Sequence, residues 1–282
     1  MTEHITSNTA QVVAVLRAAH LLLDAPPRIL DDRVVLDLLP RSATEHVHAH
    51  PETFQSPAAR ALRSHVVVRS RFAEDRLADA FRRGVRQYVV LGAGYDSFAF
   101  RQPDWAGEVR IFEVDQPATQ AAKRERLASA GIAVPDNVRL VPIDFEADTL
   151  AEGLSRGGVS LDQPVFFSWL GVTLYLTTDA VEATFRLVAG LPASSEIVFT
   201  FAQPLTGARD ESALADMAAR AAEGGEPWIT FYHPHEMADL LGGMGFSRVE
   251  FLTPEETEAR YFQGRTDELP VPRRVSIAAA VR

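Results

Sequence analysis

The sequence has 282 residues and no cysteine. Disulfides, thiolate nucleophiles and cysteine-based zinc sites are therefore excluded. It also lacks any apolar run near the roughly 18 residues that a membrane-spanning helix needs. Basic charge is outnumbered, with 28 Lys and Arg against 38 Asp and Glu, a net charge of −10 and a pI of about 5.3. Chains that grip a phosphate backbone are usually basic, so nucleic acid is not an expected partner. The first residues, Met-Thr-Glu-His-Ile-Thr-Ser-Asn, show no basic region followed by an apolar core. No signal peptide is expected, and a soluble cytoplasmic protein is the default. No repeat, low-complexity tract or linker is visible, and no feature specifies an oligomeric state. What is present is a hydrophobic content of 46%, enough for a sizeable core.

The most informative stretch is Gln87-Tyr-Val-Val-Leu-Gly-Ala-Gly-Tyr-Asp-Ser-Phe-Ala-Phe-Arg101. Residues 88–91 form a continuous apolar run, as a strand buried on both faces requires. Gly92, Ala93 and Gly94 follow at once and allow a sharp turn that a ligand can approach closely. Asp96 and Ser97 stand where a helix could start. A dinucleotide fingerprint also wants a third glycine three places after the second, and that place holds Ser97. About 20 positions on, the run Val109-Arg-Ile-Phe-Glu-Val-Asp115 ends in the acidic residue expected to hold ribose hydroxyls.

Along the chain, 11–23 has helical spacing and Asp24-Ala-Pro-Pro27 stops it. A second short helix is expected over 34–39, and an irregular stretch over 40–57. That stretch contains His46, His48 and His50, whose spacing would align imidazoles only on a strand. It reads as a solvated loop or a lid, not a metal site. One long helix is expected over 56–83, with Arg60, Arg63, Glu74, Asp75 and Arg82 toward water. Strands are expected over 88–91, 109–115, 138–142, 164–169 and 196–201, with helices over 117–130, 147–156 and 178–190 between them. This alternation predicts a mostly parallel sheet with helices on both faces. Helices over 206–225 and 233–244 and strands over 247–252 and 273–281 complete a single domain. It has an N-terminal helical cap (1–57) and an α/β core (58–282) with an insertion around 203–235. Ligands in such sheets sit at the carboxyl ends of strands, where Gly92, Gly94, Asp115, Asp144 and Trp169 all fall.

On these residues the chain resembles the leucine carboxyl methyltransferase family, and within it the bacterial S-adenosylmethionine-dependent O-methyltransferases. The resemblance is carried by Ser70-Arg-Phe-Ala-Glu-Asp-Arg-Leu77, the glycine stretch to Arg101, Phe112-Glu-Val-Asp-Gln-Pro117, Ser168-Trp-Leu-Gly-Val-Thr-Leu-Tyr-Leu176 and Tyr261-Phe-Gln-Gly-Arg-Thr-Asp267. It implies a seven-stranded class I methyltransferase fold of Rossmann-like α/β type, with S-adenosyl-L-methionine as cofactor. It implies that Arg71 holds the methionine carboxylate and that Gly92, Ala93 and Gly94 pass beneath the methionine and ribose. Asp115, beside Gln116, takes the ribose hydroxyls. Asp144 and the Phe145 backbone take the adenine, and the Ser168 carbonyl lies near the ammonium. Arg17 matches a basic residue near the carboxylate. Many members carry a Glu after the fourth strand, where this chain has Leu170.

The expected reaction is methylation of a carboxylate or hydroxyl of a small molecule, plausibly a secondary metabolite. Tyr175 is the candidate catalytic, substrate-facing residue, with Tyr232, His233 and Arg265 as further substrate-binding candidates. Three alternatives remain open at this stage: a nicotinamide-dependent oxidoreductase, a non-catalytic binding module that keeps the cofactor pocket, and methylation of a protein C-terminal carboxylate.

Overall fold

The computed structural model describes residues 8–144, 148–204 and 212–282. Seven strands form one sheet: β1 (Gln87–Leu91), β2 (Arg110–Asp115), β3 (Val138–Pro142), β4 (Phe166–Trp169), β5 (Glu196–Thr200), β6 (Arg248–Phe251) and β7 (Ile277–Val281), in the order β3-β2-β1-β4-β5-β7-β6. The first five are mutually parallel, and β7 runs antiparallel between β5 and β6. β1, β4 and β5 are buried along their whole length because both faces are covered. On one face Tyr88, Val90, Ile111 and Phe166 pack against Phe72, Leu77 and Leu127. On the other, Val89, Phe112, Phe167 and Phe199 pack against Leu154, Phe185, Met237 and Leu241.

The intervening helices are α6 (Pro117–Ser129), α7 (Leu150–Arg156), α8 (Thr178–Ala189), α9 (Ser212–Glu223), α10 (Pro234–Gly243) and the single turn α11 (Pro254–Thr257). Proline opens α6, α10 and α11, where its missing N–H costs nothing. The connection from β1 to β2 carries only short 3-10 turns, Phe98–Phe100 and Asp104–Glu108, where a helix from Asp96 was expected. Asp96 does cap the first turn, its Oδ1 accepting from the Phe98 N–H at 2.9 Å.

The N-terminal part contains α1 (Asn8–Leu23), α2 (Val34–Leu38), α3 (Arg41–Ala49), α4 (Pro51–Gln55) and α5 (Pro57–Arg82). The expected irregular stretch 40–57 is thus helical. Pro51 opens α4, and Val47 and Phe54 are buried against α1 residues Leu16 and Ala19. The His46 ring lies against both His50 and Phe54, and no metal-binding group of His, Asp or Glu occurs among the described residues. Arg63, expected to face water, is 1% exposed. It grips Asp24 through Nε at 2.8 Å and Nη2 at 2.7 Å, and donates to the Phe54 carbonyl at 2.6 Å, tying α1, α4 and α5 together. Glu74, also expected outside, is half-buried in an ion pair with Arg101.

One ion-pair cluster fixes the direction of α5. Glu196, buried at the start of β5, accepts from Arg76 Nε at 2.5 Å and from Arg83. The C-terminal end of α5 therefore lies at the amino edge of the sheet, and α5 runs antiparallel to β5. At about 1.5 Å of rise per helical residue against about 3.3 Å per strand residue, Arg69 reaches the level of the strand carboxyl ends. Residues before it project beyond that edge. No described helix is long and apolar enough to cross a membrane.

Candidate active site

The turn after β1 is built for close approach. Gly92 has φ +67° and Gly94 φ +45°, a region that disfavours other residues. A Cβ at Gly92 would meet Val172 Cγ2 at 2.5 Å, and one at Gly94 would meet the Ala10 Cβ at 3.1 Å. The Gly92 and Ala93 N–H groups both donate to the Val114 carbonyl, at 2.9 and 3.0 Å. Asp115, at the end of β2, accepts from Gly94 N–H through Oδ2 at 2.6 Å and from Gln116 N–H through Oδ1 at 2.8 Å. Burial pushes its carboxyl up, against the pull of those two donors. Asp144 lies just past β3 at the same edge, while Phe145 lies outside the described residues. Ser168, in β4, shares a 2.8 Å hydrogen bond with the Tyr88 hydroxyl.

The guanidinium in this recess is Arg69, not Arg71. Arg71 Nε pairs with Asp75 Oδ1 at 2.8 Å, and its side chain is 46% exposed. Two residues along a helix is a rotation of about 200°, so the two arginines leave α5 on opposite sides. Arg69 points at Gly171, where a Cβ would lie 2.7 Å from its Nη1 and 2.9 Å from its Nη2. Gly171 is held in place by its N–H bond to Thr200 Oγ1 at 2.7 Å and has φ +76°. Arg69 Nε is buried without a partner. Burial brings its ordinarily very high pKa down to about 10; Tyr175 and Asp96 raise it and Arg17 lowers it further. The missing signal was helical phase: Arg69 shares a face with His65 and the buried Phe72, whereas Arg71 stands one turn before Asp75.

Arg17 is committed elsewhere. Its Nη1 donates to Asp32 Oδ2 at 2.7 Å and to Ser97 Oγ at 3.2 Å, and its Nη2 to the Tyr95 carbonyl. It braces the loop after the glycines from α1. Tyr175 lies on the 3-10 turn Thr173–Tyr175 after β4, with Thr9 and Trp228 beside it. Burial pushes its phenol up, the polar groups of Thr9 and Trp228 offsetting part of this. The segment carrying Trp228 is strapped to that turn by Ile229 N–H donating to the Leu174 carbonyl at 2.8 Å. Thr9, at the start of α1, donates from its hydroxyl to Glu226. Trp228 Nε1 is buried beside the Tyr175 hydroxyl.

The other substrate-binding candidates are not gathered there. Tyr232 packs into the opposite core layer and faces Thr178 and Glu182 at the start of α8. His233 precedes α10, its backbone N–H capped by Glu236 at 2.7 Å. Arg265 is locked to Asp267 at 3.0 Å and to the Pro27 carbonyl at 2.7 Å, clasping the C-terminal region to the loop after α1. Arg265 is thus engaged by the fold, His233 stands at a helix start, and Tyr232 lies in the opposite core layer with its hydroxyl buried. His65, by contrast, had not been singled out. It lies one turn before Arg69, beyond the sheet edge, and has no hydrogen-bond partner among the described residues. Burial and the neighbouring Arg69 bring its pKa down to about 3.

A glycine turn after β1, an acid closing β2 and a seven-stranded sheet with β7 reversed define a class I methyltransferase architecture. The leucine carboxyl methyltransferase family model matches residues 10–189, and this chain belongs to that family. It is 30% identical to the "Putative S-adenosyl-L-methionine-dependent methyltransferase YktD" of Bacillus subtilis (strain 168), over 95% of each chain. A relative of the same description in Mycobacterium marinum is 33% identical over 87% of this chain and 80% of its own length. Among solved structures, a DUF574 family protein from Streptomyces avermitilis is 16% identical, with a TM-score of 0.57 over 94% of this chain and 95% of that one. A methyltransferase-titled structure from Thermobifida fusca gives 0.56 at 16% identity, over 96% and 94%. At such identities the two structures speak for the fold alone.

Proposed function

We propose that this protein transfers a methyl group from S-adenosyl-L-methionine to an oxygen of a small molecule. The observation that carries the reading is Arg69, whose guanidinium lies against Gly171 just after β4, with Nε unpartnered among the described residues, at the same strand edge as Gly92, Gly94 and Asp115. A lone buried cation calls for an anion, and a carboxylate is the natural one for its planar fork. The methionine end of the cofactor supplies a carboxylate, the glycine turn leaves room for its chain, and Asp115 keeps acceptor capacity for ribose hydroxyls. Asp144 stands where the adenine amino group would reach it.

The cofactor supplies an electrophilic methyl group on a sulfonium. The protein aligns the acceptor oxygen with it and excludes water. Tyr175, with Trp228 beside it, and His65, one turn before Arg69, each have Arg69 as a charged neighbour and are assigned to the acceptor side. His65 is an uncharged imidazole at neutral pH, so it suits a neutral hydroxyl donor. A carboxylate acceptor is already ionised and needs no such group. His65→Ala is expected to raise KM for the methylated hydroxyl compound roughly tenfold, as loss of one hydrogen bond would. The dissociation constant of S-adenosylhomocysteine should stay within about twofold. Equal losses for both would place His65 in the cofactor site instead.

Thermal unfolding tests the cofactor. S-adenosylhomocysteine at about a hundred times its Kd adds about 2.7 kcal/mol, which raises Tm by roughly 5 °C. NAD should add nothing. Stabilisation by NAD alone would return the protein to the oxidoreductases. Transfer of label from methyl-labelled cofactor to a panel of phenols and carboxylic acids then reads the acceptor class.

A further inference from the structure

The methionine end of the cofactor is a zwitterion, so a site for it needs an anion as well as Arg69. The residue after β4 is Leu170, half-buried against the core, and supplies no charge. Five carboxylates cluster beneath the glycine turn: Asp32, Glu74, Asp96, Glu113 and Asp115. Four are committed. Asp32 holds Arg17 and Arg101, Glu74 holds Arg101, Glu113 holds Lys123 at 2.6 Å, and Asp115 holds two backbone N–H groups.

Asp96 is different. Its Oδ1 accepts from Phe98 N–H at 2.9 Å, and no ion pair or hydrogen bond engages its Oδ2 among the described residues. Its backbone is pinned on both sides. The N–H donates to the Ala93 carbonyl at 2.6 Å, and the carbonyl accepts from Lys123 Nζ at 2.6 Å. It stands two residues after Gly94, near enough to Arg69 to hold up that guanidinium's charge, yet the two form no ion pair. The pinned loop after Gly94 thus carries a carboxylate oxygen with no partner among the described residues, at the strand edge that Arg69 reaches.

We propose that Asp96 receives the ammonium group of the cofactor's methionine end while Arg69 receives its carboxylate. The assignment rests on the cofactor reading above. No bond is made or broken; the two charges select a free α-amino acid end over neutral adenosine derivatives.

Calorimetric titration tests it with three ligands: S-adenosylhomocysteine, its desamino analogue lacking only the amino group, and 5′-methylthioadenosine. The wild-type protein should prefer S-adenosylhomocysteine to the desamino compound at least tenfold. In Asp96→Asn, which keeps an oxygen for the Phe98 N–H, that preference should fall below threefold, with affinity for 5′-methylthioadenosine unchanged. Equal wild-type affinity for the first two ligands overturns the proposal, even if the variant does not fold. So does a variant that retains the preference, or one that loses all three ligands equally while still unfolding cooperatively. Failure of the wild-type protein to bind any of the three sinks the cofactor reading itself.

Discussion

Replacing Arg69 by methionine is expected to abolish measurable S-adenosylhomocysteine binding while leaving the unliganded protein as stable as before, or more so. The two effects have opposite signs because no ion pair engages Arg69 among the described residues. Its Nε is buried unpaired, and burial already weighs against its charge. An uncompensated buried cation costs stability, and an apolar residue of similar length removes that cost. Binding goes the other way. Removing one member of a buried, hydrogen-bonded charge pair costs about 2–5 kcal/mol, roughly 30-fold to several thousandfold in affinity. Arg71→Met serves as the control. It breaks an exposed pair with Asp75, worth about 0–1 kcal/mol, and should leave affinity almost untouched. Calorimetry and urea unfolding on the two variants decide the matter. If Arg71→Met loses the ligand and Arg69→Met keeps it, the assignment to Arg69 fails and Arg71 holds the carboxylate.

That pair of arginines marks the boundary of what the sequence discloses. The glycine turn, Asp115 and Asp144 are legible because each is tied to a local signal: a strand end, a left-handed glycine or a spacing along the chain. Choosing Arg69 over Arg71 needs the rotation of α5 about its axis. The run Val66-Val-Val-Arg-Ser-Arg-Phe72 hides it, since Val66, Val67, Val68 and Phe72 are all buried and mark no single face. Arg63 was misplaced for the same reason: its partner Asp24 lies 39 residues away, outside any helical pattern. The stretch 40–57 reads as loop because its prolines look like breaks, whereas Pro51 and Pro57 each begin a helix. Tyr232, His233 and Arg265 carry side chains suited to a binding site. Only tertiary contacts reveal that they serve the core, a helix start and a clasp.

The second large effect is expected beneath the site. Lys123→Met should cost up to about 3–5 kcal/mol once pH rises above about 7, because Glu113 then loses the counter-charge beside it in the core and must keep its proton or be buried charged. Both side chains are fully buried, with Lys123 Nζ 2.6 Å from Glu113 Oε2 and 2.6 Å from the Asp96 carbonyl. Burial outweighs the attraction of Lys123 and pushes the Glu113 carboxyl up to about 7. The folded protein therefore binds this proton more tightly than the unfolded chain. The resulting stability is fully present below the ordinary carboxylate range near pH 4.5 and is lost as pH rises through about 7. At pH 5 and 6 Glu113 keeps its proton with or without Lys123, so the cost of Lys123→Met should be smallest there, change little up to pH 7 and grow as pH rises to 8. Urea midpoints of the wild type and the variant at pH 5, 6, 7 and 8 measure this directly. A cost that stays constant with pH would mean that Lys123 matters for its contacts and not for its charge. The same variant frees the Asp96 carbonyl, so its residual affinity for S-adenosylhomocysteine should fall while that for 5′-methylthioadenosine changes less. A buried lysine that itself holds no ligand would then be felt at the methionine end of the site, through the loop it holds.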